Sequence, residues 1–122
     1  MTLLNRAPEF AQVMEEIASQ FNYPAEEIGV YIQPVEDMRA CQMTFMFHYN
    51  PNDKQEVENM SKLRSKAIVE VVNRGGYFNR IYQDVGEVVY HLPRAQGYVN
   101  YIRRLKRLFD PNWILSPGKL CF

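Results

Sequence analysis

Apolar residues recur at helical spacing near the start of this chain. Phe10, Val13, Met14, Ile17 and Phe21 form one stripe, which predicts a helix from Pro8 to Asn22. Pro8 suits a first helical position, Glu9 complements the helix N-terminus, and Tyr23-Pro24 ends the segment. The period then changes to two. Ile28 to Val35 reads as a strand with Val30 and Ile32 on one face and Tyr31 on the other. After the polar connector Glu36–Arg39, Cys41 to Asn50 alternates more clearly still. Cys41, Met43, Phe45, Phe47 and Tyr49 share an apolar face that should meet helices; Gln42, Thr44, Met46, His48 and Asn50 share a mixed one. The two runs predict an antiparallel hairpin.

Helical spacing returns after Pro51-Asn52. Asp53 is placed as an N-cap, with Glu56 in the capping-box position. Val57, Met60, Leu63, Ala67, Ile68 and Val71 form the buried stripe, and Arg74-Gly75-Gly76 stops the helix. Tyr77 to Arg80 is a link. Asp84 is placed to cap a short helix through Tyr90. Pro93 starts a last helix that runs to about Phe109, with Tyr98, Tyr101, Ile102, Leu105 and Phe109 on its packing face. The expected fold is α+β: a small antiparallel sheet packed against helices, as one domain spanning 1–122. Two strands alone make a marginal sheet with unpaired edges, so completion by another chain or a second copy is expected.

Composition narrows the function classes. A chain of 122 residues that is 47% hydrophobic and 23% charged can build one core. Fourteen Lys and Arg balance fourteen Asp and Glu, which argues against nucleic acid as a partner. No apolar run approaches the roughly 20 residues of a bilayer span, so no membrane partner is expected. No secretion signal is expected at the N-terminus either. Cys41 and Cys121 lie outside any metal-ligand or CxxC spacing, and the expected setting is cytoplasmic, with reduced thiols and no metal. The 13% aromatic content serves a core and an interface, or a pocket for a flat ligand.

Few residues carry candidate chemistry, and none is a catalytic candidate. His48 stands alone on the mixed strand face and reads as a structural histidine rather than a catalytic base. Tyr77, Arg80 and Tyr82 follow the Gly-Gly stop, where glycines allow close approach and Tyr with Arg can bind an anionic oxygen. The alternative is a loop whose Arg meets a helix end and whose rings fill the core. Arg103, Arg104, Lys106 and Arg107 read as the solvated face of an amphipathic helix, with an anion or acidic partner as the functional alternative. His91 reads as a surface residue or cap.

The ending is the most specific feature. Asp110-Pro111-Asn112-Trp113-Ile114-Leu115-Ser116-Pro117-Gly118-Lys119 resembles the C-terminus of FAD-linked oxidases of the vanillyl-alcohol oxidase and p-cresol methylhydroxylase type. There a long helix runs into Asp-Pro-Asn-x-Ile-Leu-x-Pro-Gly-Lys. Trp113 stands where Gly is usual. The order of strand 41–50, Pro-Asn-Asp, long helix, Gly-Gly-Tyr-Phe-Asn-Arg link and Val88-Val89-Tyr90 extends the resemblance over about the last two thirds of the chain.

The resemblance implies a ferredoxin-like cap-domain portion covering a flavin bound by another polypeptide. The substrate, an aromatic alcohol, phenol or hydroxy acid, would give a hydride to FAD. It implies substrate contacts from Tyr77, Arg80, Tyr82 and His48, and cofactor contacts from Asn112 and Lys119. Tyr77 matches the phenolate-binding Tyr of phenol-oxidising relatives; Phe78 stands at the position of the adjoining Arg, and Arg80 follows two residues on. The cap-strand metal motif of other branches, His-x-Gly-Asp-Gly-Asn-x-His, is not matched by Phe47-His48-Tyr49-Asn50-Pro51-Asn52-Asp53. No Gly-rich diphosphate loop is present. The implied chain is inactive alone and needs an FAD-binding partner polypeptide; the alternative is a non-catalytic α+β module that forms a homo-oligomer through its sheet edge.

Overall fold

The central strand of the sheet is β3 (Ala40–Met46), which pairs antiparallel with β2 (Gly29–Val35) along its whole length. Register runs from Val35 opposite Ala40 to Gly29 opposite Met46. On the other side, β1 (Thr2–Leu3) pairs with Cys41 and Ala40, giving the order β1-β3-β2. This third strand was not expected: two residues are too few to show a period. The computed structural model describes residues 1–79, 81 and 83–117, with the side chains of Gln83, Asp84 and Glu87 left aside. By its internal contacts the chain divides into two units, Met1–Phe78 and Asn79–Phe122.

In the first unit, α1 (Ala7–Gln20) and α2 (Lys54–Asn73) lie against the apolar face of β3. Val13, Met14, Ile17 and Ala18 from α1 meet Leu63 and Ala67 from α2, and Phe45, Phe47, Met60 and Val71 close the cluster. The predicted stripes therefore form the core, except that Val57 stays 40% exposed in the first turn of α2. Cys41 is fully covered. Val30 and Ile32 share the apolar face but lie out on β2, more than two fifths exposed.

Both helices end in the same way. At α1, Asn22 turns left-handed (φ 55) while its N–H and that of Tyr23 donate to Ser19 and Ala18. At α2, Gly75 takes φ 81, and the N–H groups of Gly75 and Gly76 donate to Val72 and Val71. This is the six-to-one, five-to-two pattern that satisfies a helix's last carbonyls. Gly76 has a second reason to be glycine: a Cβ there would sit 2.5 Å from Val71 Cγ1 and 2.9 Å from the Val71 carbonyl oxygen.

The expected strand 41–50 stops at Met46, because the following residues are used to start α2. The His48 N–H donates to the Tyr23 hydroxyl, and the Tyr23 and Phe47 rings meet edge-on at 5.2 Å. Asp53 caps α2 as predicted, accepting from Gln55 and Glu56. Glu56 does not return to the Asp53 N–H; that group donates to the Asn50 carbonyl, and Glu56 accepts from the Asn50 N–H instead. The capping box is widened by three residues.

The second unit holds α3 (Gln83–Val89), a turn of 3-10 helix at Pro93–Ala95, and α4 (Gln96–Phe109). The first of these starts one residue before the Asp84 cap position, and the last starts three residues after Pro93. Val85, Val89, Tyr90 and Val99 are buried. Tyr98, Tyr101 and Phe109, expected to pack, are instead more than half exposed, and α4 turns Val99 inward with Ile102 and Leu105 half-covered. The apolar arc of α4 is wider than the surface its own unit covers.

Candidate functional site

The best-built polar cluster in the described chain lies where α4 ends. Asp110 closes the helix, its N–H donating to the Lys106 carbonyl at 2.8 Å. Its carboxylate turns back over the following segment. Oδ1 accepts the Ile114 N–H and Oδ2 the Leu115 N–H, both at 2.9 Å, while Lys106 Nζ stands 2.5 Å from Oδ2. Lys106 also donates to the Leu115 carbonyl and sits 5.9 Å from the centre of the Trp113 ring. Asp110 is 6% exposed, and its pKa is held below the usual carboxylate value, first by the Lys106 hydrogen bond and then by the two backbone N–H groups, against the opposing effect of burial. One carboxylate thus fixes Pro111, Asn112 and Trp113 as a short bridge between two anchored ends. Trp113 lies within this bridge in the left-handed region, φ 55, a conformation glycine takes without strain.

Residues 90–120 match the family model for FAD linked oxidases, C-terminal domain. No curated protein and no solved structure matches the chain. The matched segment is about a quarter of the sequence and contains α4 and the Asp110 bridge. This end of the chain is therefore similar to the C-terminal domain of FAD-linked oxidases.

The expected site residues are distributed unevenly. Asn112 is exposed on the Asp110 bridge. Tyr77 is 60% exposed and held by its backbone: its N–H donates to the Met1 carbonyl at 2.8 Å, and its carbonyl accepts from the Met1 amine. His48 is exposed beyond the far end of β3. Met1 lies beside the start of β3, near Gln42, whereas His48 follows the end of that strand at Met46. The structure does not bring them together. Arg80, Tyr82 and Lys119 lie outside the described residues.

An open hollow in the first unit is lined by Leu3, Leu4, Asn5, Met38 and Arg39, and contains none of these. Among the described residues no group of three or more His, Cys, Asp or Glu is placed to hold a metal ion. The N–H groups of the one Gly-Gly pair are already given to α2 carbonyls, so they cannot cradle a diphosphate.

Sequence reading missed the Asp110 anchor. Its signal was present as a Lys and an Asp four residues apart where a helix meets a proline, but that spacing is also common on solvated helix faces.

Proposed function

We propose that residues 1–122 are a cap-like portion of a flavin-dependent oxidoreductase of the vanillyl-alcohol oxidase and p-cresol methylhydroxylase type. It would be inactive alone, in a cytoplasmic setting, and completed by an FAD-binding polypeptide. The substrate class is an aromatic alcohol, phenol or hydroxy acid that loses a hydride to FAD. The observation that carries the reading is the match over residues 90–120, supported by a built anchor at Asp110 in that segment. On this reading Tyr77, Arg80, Tyr82 and His48 face substrate, with Tyr77 and His48 on different walls, and Asn112 and Lys119 face the cofactor.

A specific observation favours a second reading, a non-catalytic module that dimerises through its sheet. Val30, Tyr31 and Ile32 are 45%, 53% and 43% exposed along the outer strand. The test is to isolate the tagged chain alone and in its native complexes, recording light scattering and visible absorbance before and after adding FAD. Flavin absorbance in a complex, with none on the chain alone, supports the cap reading. A colourless stable dimer with no flavin-bearing complex supports the module. Flavin on the chain alone would overturn the need for a second polypeptide.

A further inference from the structure

The neutral charge total conceals a one-signed segment. Between Glu87 and Asp110 the sequence has no acidic residue but carries Arg94, Arg103, Arg104, Lys106 and Arg107. Most of it is α4, where the two kinds of residue are sorted by face. Tyr98, Tyr101, Leu105 and Leu108 recur at three- and four-residue steps, with Phe109 beside them. Tyr98 and Tyr101 are 51% and 60% exposed, Leu108 and Phe109 72% and 76%. Arg104 and Arg107 are exposed on the adjoining face. At the same end of the helix the anchored segment leaves Ile114 and Leu115 71% and 63% exposed, with Trp113 at 39%.

Large aromatic and aliphatic side chains held in water next to arginines need an explanation beyond solubility. A protein partner and a lipid surface are the two candidates, and the charge pattern separates them. A protein partner would need an acidic patch matched in shape and register to this arc. Here one sign is present, along a helix of low mean hydropathy whose apolar arc carries Tyr, Leu and Phe. That is the composition of a helix lying in a membrane–water interface, where no register is needed.

We propose that the exposed arc of α4, with Trp113, Ile114 and Leu115, seats on an anionic lipid surface. The rings and aliphatic side chains enter the headgroup boundary, and Arg104 and Arg107 meet lipid phosphates. This is surface attachment and not spanning: no helix among the described residues is long and apolar enough to cross a membrane. It does not rest on the flavin reading.

The test uses the purified chain and phosphatidylcholine vesicles with and without phosphatidylglycerol. Trp113 is the only tryptophan, so its emission reports on this patch alone. The expected result is sedimentation with phosphatidylglycerol vesicles only, a blue shift of Trp113 emission, and release by high salt. Arg104→Glu combined with Arg107→Glu lowers the partition coefficient by at least about tenfold. Leu108→Ser with Phe109→Ser lowers it comparably with charge unchanged, and circular dichroism confirms that each variant is folded. Absence of phosphatidylglycerol-dependent sedimentation overturns the proposal, as does equal uptake by neutral vesicles. A wild-type dimer that Leu108→Ser converts to monomer also overturns it, by showing that a second copy fills the arc.

Discussion

Lys106 Nζ meets Asp110 Oδ2 at 2.5 Å, one helical turn away, with both side chains less than a tenth exposed. A covered ion pair alone stabilises little, because desolvation offsets the attraction. Here the carboxylate also accepts two backbone N–H groups. Its removal would leave a covered ammonium without its counter-charge and two N–H donors without their acceptor.

Asp110→Ala is therefore expected to lower the melting temperature of the second unit by several degrees, and Asp110→Asn by less, since an amide oxygen can keep one backbone bond. Thermal unfolding followed by Trp113 fluorescence measures this; an unchanged midpoint for Asp110→Ala would show the anchor to be incidental.

Acid should loosen the same anchor. The Asp110 pKa lies below its ordinary value of 3.8 in the folded chain. Stability from a depressed carboxylate is fully present above the unfolded value and is lost as pH falls through the folded one. Trp113 fluorescence should thus hold steady from neutrality to about pH 4 and change below it. Asp110→Asn should abolish that acid transition. Glu9, lowered by Arg6, and Glu58, lowered by Lys62, act in the same direction in the first unit and should remain visible by circular dichroism.

Trp113 combines a backbone cost with a side-chain gain. A non-glycine left-handed residue costs about 1 kcal/mol, and the Trp113 ring beside the covered Lys106 ammonium returns about 1–2 kcal/mol. Trp113→Ala keeps the cost and loses the gain. Trp113→Gly loses both, and should be more stable than Trp113→Ala by about 0.5 kcal/mol once glycine's unfolded-state entropy is counted. Urea unfolding of the two variants, read by circular dichroism, decides it; Ala above Gly would mean the φ of 55 is not strained.

Gly76→Ala should destabilise the first unit by about 1–3 kcal/mol, because the new Cβ meets backbone as well as a side chain. Gly75→Ala should cost about 1 kcal/mol from its φ alone. Equal melting of both variants would remove the close-approach argument at Gly76.

What was readable in the sequence follows from how local each feature is. The α+β class, the stripes of α1 and α2 apart from Val57, the hairpin of strands expected at 28–35 and 41–50 (the second ending early, at Met46), the Asp53 cap and the Gly-Gly stop each rest on neighbours within a few residues, and they appear in the fold. The two-residue strand β1 and the pairing of Met1 with Tyr77 depend on partners far along the chain, and no period announces them. In α4 the periodicity identified the apolar arc, but not which part of it the unit would cover: Val99 went in and Phe109 stayed out. Of the candidate site, the ending was legible as a motif, whereas the grouping of His48 with Tyr77 was an assumption of proximity that β3 separates.

The mutual hydrogen bonds of Met1 and Tyr77 bring the first unit's beginning and end to one place. Such a unit is a closed circuit, and its order along the gene is a matter of where the circuit is opened. Joined there and cut in the exposed 36–39 turn, a circular permutant would keep every strand pairing of the sheet.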